Sequence, residues 1–493
     1  MTTAFLTTTI PYVNGDPHLG HALEAVQADT LTRHHQRIGH TTRLLSGTDD
    51  NAPKNVIAAE AAGRPVQDYV DAQAARFTSL AHTLSVRYDD FIRTSTDPRH
   101  RSGVADLWRA CAASGDFYRG RYDGLYCLGC EAYLTTGDLD STGRCPEHGT
   151  PPQHITEQNW FFRLSRYAGP IREAITTGTL RIHPAQRRNE VLAFIDGGLH
   201  DICASRGAHR ARGWGIHVPG DPDQVVYVRW DALGNYVNSL RTGDDLHRWW
   251  TGADRRIHLV GKGVLRFHAV YWPAILLSAG LPLPTDILVH DYVTVGGAKI
   301  AKSAGNGVAP AALVDAYGVD ALRWWLLRDV ATVGITDFTT ERLEQRYRED
   351  LAGGIGNLVN RVVTMIHRFR GGSPSGSPDA VAPVSRSSAQ APARIAAALA
   401  TGDFRDATAA LLDVVDAGNR YVEATRPWTL AAAERTGDID AGVRLDQALA
   451  TLHHACATLS AELEPFLPDA AARITAQLTP TGGRLPAPIP VFP

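Results

Sequence analysis

Lysine is almost missing from this chain. Of its 49 basic residues, only Lys54, Lys262, Lys299 and Lys302 are lysines, and the other 45 are arginines. Long apolar runs are missing as well. None approaches the roughly 18 residues a membrane-spanning helix needs, which excludes a helical membrane protein. Met1-Thr2-Thr3-Ala4-Phe5-Leu6 shows no basic stretch before an apolar one, so no secretory leader is expected and the expected location is cytoplasmic. A basic excess is lacking too. The formal net charge is −3, which excludes a global field drawing in nucleic acid but leaves room for a local basic stripe. No internal repeat is present.

What remains is ordinary for a globular protein of two to four domains: 493 residues, 44% hydrophobic and 20% charged. The scarcity of lysine makes its placement informative. Two of the four fall in Lys299-Ile300-Ala301-Lys302-Ser303. In this chain, arginine would more readily fill a bland surface role. A compact, mobile ammonium is a different phosphate ligand from a planar guanidinium. The six cysteines are also unevenly placed. Cys127-x-x-Cys130 and Cys145-x-x-His148 have the spacing of two zinc knuckles. With no export signal, the cluster reads as metal rather than disulfide. Four filled positions imply a closed, structural Zn2+ site.

The pattern along the chain predicts an α/β fold. Ala4–Ile10 is a first strand, and residues 11–15 are a loop. Asp16 is an N-cap with Pro17 at the first helical position, and a helix runs to about Ile38. Thr41–Ser46 is a second strand ending at Gly47-Thr48-Asp49-Asp50. Such a βαβ unit puts its loop where parallel sheets bind ligands. Residues 116–220 break the rhythm and are expected to be an inserted domain. The sheet is expected to resume at 221–295, with Val225–Val228 a strand. A mobile lysine loop is expected at 296–350. Residues 351–485 are expected to be a helical bundle with a flexible segment at 371–393.

His18-Leu19-Gly20-His21 opens the first helix. Histidines three apart share a helix face, and the free N–H groups and dipole of a first turn favour anions. Gly20 lets a flat group approach. Alone, the pair equally suits two surface histidines.

Together with Lys299 and Lys302, it resembles the paired signatures of class I aminoacyl-tRNA synthetases. Ile10–Gly15, Tyr126–Cys130, Asn159–Phe162, Gly261-Lys262 and Phe267–Pro273 resemble the methionyl branch, from about residue 4 to 480. This resemblance implies a Rossmann-type catalytic sheet, a zinc-binding insertion and a helical anticodon-binding domain. It implies formation of an aminoacyl-adenylate from ATP with Mg2+, then transfer to tRNA. By it, His18 and His21 steady the reacting phosphate, and Lys299 and Lys302 neutralise the pyrophosphate. Gly20 and Ser303 complete the ATP contacts. Ile300 and Ala301 depart from the usual Lys-Met-Ser-Lys-Ser. Asn357, Arg361 and Trp428 match an anticodon-reading set. No appended dimerisation domain is seen, so a monomer is expected.

The resemblance also implies an amino-acid pocket of Ile10, Tyr12, Asp49, Ala232, Leu233, Tyr236 and His268, with Arg229 where the family carries tryptophan. A charge in an apolar slot is costly unless paired. Two arrangements are open. Either Trp230 shifts into the slot, Arg229 turns outward and methionine is used, or Arg229 faces the pocket and pairs with a polar or acidic substrate. Thr48-Asp49-Asp50-Asn51-Ala52 departs from the family as well. A second function therefore stays open, which is tRNA-independent activation for small-molecule biosynthesis. It resembles the synthetase-like half of hydrazine-forming enzymes, and a separate cupin protein would be the partner. A binding-only relic fits poorly with four intact signature residues.

Overall fold

The computed structural model describes residues 2–127, 132–146, 149–299 and 308–492. They group into two compact units. One comprises residues 1–16, 41–78 and 88–289, and the other 17–40, 79–87 and 290–493.

The first unit is built on a six-stranded sheet. Its order is Asp90–Arg93, Thr41–Thr48, Thr3–Thr7, Arg255–Gly261, Asp286–His290, Arg181–His183. Thr3–Thr7 pairs in parallel with Thr41–Thr48 on one side and Arg255–Gly261 on the other. In the middle strand Ala4, Phe5, Leu6 and Thr7 are all buried, as expected of a parallel strand covered on both faces. The core beneath gathers Trp108, Trp230, Trp250 and Trp272 with Phe5 and Phe162. The inserted region is antiparallel instead, with Phe117–Cys127 paired to Gln153–Phe162 over ten residues. The strand expected at Val225–Val228 ends earlier. Asp221–Val226 is the strand, and Val228–Asn238 is a helix. Arg229 therefore stands in a helical first turn.

The second unit is mostly helical, with a small three-stranded sheet of Ala298–Lys299, Val293–Val295 and Thr336–Phe338. Its helices include Leu19–Arg37, Val319–Arg328, Asn357–Arg370, Phe404–Thr425, Pro427–Arg435 and Ile439–Leu463. The guanidinium of the fully buried Arg323 ties three of its segments together. It donates to Asp29 at 2.8 Å, to the Leu84 carbonyl at 2.9 Å and to the Phe466 carbonyl at 2.8 Å. The segment expected to be flexible at 371–393 is so only in part, because Pro383–Leu399 is a helix. Pro383 sits at its start, where a missing N–H costs nothing. Val384, Ser388, Ala391 and Ile395 bury a face. That packing outweighs Pro392 in the interior. Among the described residues, no helix is long and apolar enough to cross a membrane.

Candidate active site

The histidine pair is organised differently from the expected cap. The helix begins at Leu19, and its N-cap is His18 rather than Asp16. The Gly20 N–H donates to His18 Nδ1 at 3.1 Å, and the His18 N–H donates to His21 Nδ1 at 3.1 Å. Two imidazoles thus do the work of a capping box. The rings stack, with centroids 3.8 Å apart and planes at 23°. Each Nδ1 accepts, so each neutral ring carries its hydrogen on Nε2. That places both Nε2–H groups at a helix N-terminus, where anions such as phosphate are favoured. His21 is held well below the ordinary histidine range, by burial first, then by His18 and His290. Gly20 is needed for closeness: a Cβ there would lie 2.9 Å from His18 Cε1.

In the first unit, several expected pocket residues come together. Tyr12 bridges to Asp49, whose N–H donates to the Pro11 carbonyl at 2.8 Å. Tyr236 Oη lies 2.6 Å from His268 Nε2, and His268 Nδ1 lies 2.9 Å from the Val264 carbonyl oxygen. A carbonyl only accepts, so Nδ1 donates; in the neutral ring Nε2 then accepts and the tyrosine hydroxyl donates. Leu233 is buried, and Ile10 and Ala232 are half-buried.

Arg229 follows neither expected arrangement in full. Trp230 does not take its place. It is buried among Trp108, 5.4 Å away, and Phe117, 6.0 Å away. The Arg229 guanidinium lies 5.0 Å from the Tyr12 ring centroid and 4.7 Å from that of Phe267. Its charge is met by two aromatic faces. Lys54 Nζ adds a second cation 4.8 Å from the Tyr12 centroid.

The altered Asn51 also has a local explanation. It is buried and donates to Asp231 at 2.8 Å and to the Thr94 carbonyl at 3.2 Å, while His100 bonds the other Asp231 oxygen. Asparagine here completes a polar network beneath the helix that carries Arg229.

Sequence reasoning named Phe267 only as part of a family-like stretch and gave His258 no site role. Trp272 Nε1 donates to His258 Nε2 at 3.2 Å, and His258 Nδ1 meets Thr7 Oγ1 at 2.6 Å. The ring packs 4.4 Å from Tyr236. Burial first, then His268 and Arg256, keep it well below the ordinary histidine range. The available signal was a histidine at an inward position of an apolar strand.

Of the lysine signature, only the backbone of Lys299 is placed, pairing with Thr294. Ile300, Ala301, Lys302 and Ser303 lie outside the described residues, as do Cys130 and His148. Cys127 and Cys145 are buried at 1% and 2% exposure although residues 141–144 are exposed. Two thiols sheltered within a polar, turn-rich segment fit a closed zinc site. In the second unit, Asn357 is exposed at the start of a helix. Arg361 pairs with Glu423 at 3.0 Å, and Trp428 is 42% exposed rather than core.

Comparison with known proteins matches this arrangement along its length. The family described as "tRNA synthetases class I (M)" matches residues 4–154 and 144–363, and the "Anticodon binding domain of methionyl tRNA ligase" matches 384–489. A methionine–tRNA ligase of Caldanaerobacter subterraneus is 35% identical, over 97% of this chain and 74% of the relative. One from Streptomyces coelicolor is 35% identical over 95% and 88%. The structure of Mycobacterium tuberculosis methionyl-tRNA synthetase in complex with methionyl-adenylate is 32% identical, covers both chains fully and has a TM-score of 0.93. Parallel sheet, imidazole-capped helix and family match together define a class I aminoacyl-tRNA synthetase. Within that class, the chain belongs to the methionyl-tRNA synthetase family.

Proposed function

We propose that the protein is a methionine–tRNA ligase that activates methionine with ATP and passes it to tRNA. The observation that carries this reading is the full-length likeness to a synthetase holding methionyl-adenylate. In the first step the methionine carboxylate attacks the α-phosphate of ATP, and pyrophosphate leaves. His18 and His21 present Nε2–H donors to the phosphate oxygens, and Lys299 and Lys302 neutralise the leaving group. Such catalysis is positioning and electrostatics. Mg2+ accompanies ATP as its counter-ion. Asp49 takes the substrate ammonium. Ile10, Tyr12, Ala232, Leu233, Tyr236 and His268 enclose the side chain. In the second step the aminoacyl group moves to the terminal ribose of tRNA. Asn357, Arg361 and the exposed Trp428 read the anticodon. Cys127, Cys130, Cys145 and His148 would hold Zn2+, which would staple the insertion and take no part in the reaction. A cytoplasmic location belongs to the same reading.

The tRNA-independent alternative with a separate cupin loses its motive here. Asn51 serves a buried network, and Arg229 is balanced by Tyr12 and Phe267 without an acidic substrate.

Substrate assays and two substitutions test the proposal. In ATP–pyrophosphate exchange across the amino acids, methionine is expected to be the preferred substrate, and methionine tRNA is expected to be charged. Trp428→Ala removes a stacking platform worth about 1–3 kcal/mol per base. It should lower kcat/KM for tRNA by roughly tenfold to a hundredfold on that scale and leave exchange untouched. Exchange with another amino acid and no charging would overturn the reading. Arg229→Trp is expected to lower the KM for methionine by about three- to tenfold, since a flat apolar wall replaces a charge. A rise in KM would mean that the guanidinium itself grips the substrate.

A further inference from the structure

His258 has no part in the chemistry described so far, yet it is fully buried and bonded at both ring nitrogens. It stands in the strand Arg255–Gly261 as the register partner of Thr7. The Trp272 indole N–H donates to its Nε2 at 3.2 Å, and its Nδ1 lies 2.6 Å from Thr7 Oγ1. An indole nitrogen only donates, so Nε2 accepts. The neutral ring then carries its hydrogen on Nδ1 and gives it to the threonine. Hydrogen bonds at imidazole nitrogens run near the ring plane, so one at each nitrogen fixes that plane and turns the ring face to its neighbours.

Those neighbours lead to three walls of the candidate pocket. The Tyr236 ring lies 4.4 Å from that of His258, at 41°, and its hydroxyl lies 2.6 Å from His268 Nε2. Thr7 ends the strand that runs on towards Ile10 and Tyr12. Trp272 opens the helix that follows Phe267–Tyr271, the segment carrying His268. The Trp272 ring is itself 5.9 Å from Tyr236. Tyr236 therefore packs against two rings that are hydrogen-bonded to each other. Phenylalanine at position 258 would offer a similar face. It would also leave the Trp272 N–H and the Thr7 hydroxyl without this partner, and its own plane unpinned.

We propose that His258 is a positioning residue for amino-acid recognition: its imidazole, pinned by Thr7 and Trp272, holds the Tyr236 ring so that the hydroxyl stays directed at His268. This rests on the side-chain-enclosing role proposed for Tyr236 and His268. His258 touches no substrate. It acts through Tyr236.

His258→Phe keeps a flat ring and strips both hydrogen bonds. In ATP–pyrophosphate exchange, the KM for methionine is expected to rise about tenfold, the scale of two lost bonds. The KM for ATP should hold within about twofold. A purely structural role would instead lower the melting temperature and the active fraction and leave both KM values in place. Tyr236→Phe should raise the methionine KM as well. The double variant should then stay within about twofold of the worse single one, because both losses pass through one side chain. Thr7→Val is milder and lies outside the pocket. It removes one pin without changing shape and should raise the methionine KM about threefold. Nitrogen-15 imidazole spectra add a readout without substrate. Wild-type His258 and His268 should each carry one hydrogen, on Nδ1, and the His268 Nε2 resonance should shift in Thr7→Val. If His258→Phe does not fold, Thr7→Val and these spectra decide. Equal rises in both KM values overturn the proposal, as do methionine KM effects that multiply in the double variant. So does a Thr7→Val enzyme with methionine KM and His268 resonance both unmoved. Should the wild type exchange with a different amino acid, the proposed function alone falls, and the KM for that amino acid takes the place of methionine's in each comparison.

Discussion

Replacing His21 by alanine is expected to cut kcat for methionine-dependent ATP–pyrophosphate exchange by on the order of a hundred- to a thousandfold, the effect of losing one aimed donor in a dry site. The reason is geometric. His21 spends Nδ1 on the His18 N–H, which commits the remaining hydrogen to Nε2. On the role proposed for His21 the donor is prealigned before ATP arrives, and its loss should be felt where charge develops rather than where methionine binds. The KM for methionine should therefore hold within about twofold, the signature of an interaction made only in the transition state. The same substitution deletes the acceptor of a helix-capping hydrogen bond. A stability loss of about 0.5–2 kcal/mol should accompany it, too small to unfold the chain. His21→Asn separates the two roles. Its side-chain oxygen can still accept from His18, so stability should recover more than activity. A large methionine KM change with kcat preserved would remove His21 from the phosphate chemistry.

Much of this site was legible in the sequence, and what was not has identifiable causes. The strand-loop-helix-strand start was readable because its apolar period and its Gly/Pro loop are local. The capping residue was not. Asp16-Pro17 has the composition of a helix start, and nothing in spacing tells that an imidazole two residues later takes the cap. Arg229 was found as a departure from the family, yet its surroundings depended on a helix beginning at Val228. One residue along a helix turns the side chain by about 100°, which sends Trp230 into the aromatic core while Arg229 meets Tyr12 and Phe267. Asn51 looked like a lost function because its partner Asp231 lies 180 residues away. The helix at Pro383–Leu399 was hidden by its prolines and serines. Burial of one face decided it, and composition alone cannot report burial.

Arg323→Ala is expected to destabilise the second unit by about 3–5 kcal/mol, the range for breaking one side of a buried pair. Arg323 is fully buried. Its fork serves Asp29 at 2.8 Å and the carbonyls of Leu84, Phe466 and Pro465 at 2.9, 2.8 and 3.3 Å. Truncation strands three carbonyl oxygens at once, each a costly unmade bond. Asp29 would keep Arg33 at 2.8 Å and the Arg87 N–H at 3.2 Å, so it is not wholly orphaned, and the loss should not exceed the upper end of that range. Arg323→Lys should recover little, because one ammonium cannot reproduce a planar fork directed at separate segments. A hydrophobic isostere such as Arg323→Met should fail for a different reason: it removes the cation but leaves the carbonyls unserved. Salt should matter little, since buried pairs escape screening. The consequence for function follows from the helix. Asp29 lies on the helix that His18 caps, so loosening this anchor releases the element that aligns both imidazoles. Exchange activity should be lost on heating in step with the helical signal of the variant, several degrees below wild type. A melting temperature within about 2 °C of wild type, corresponding to less than about 1 kcal/mol at this size, would show that the three segments are held by packing alone.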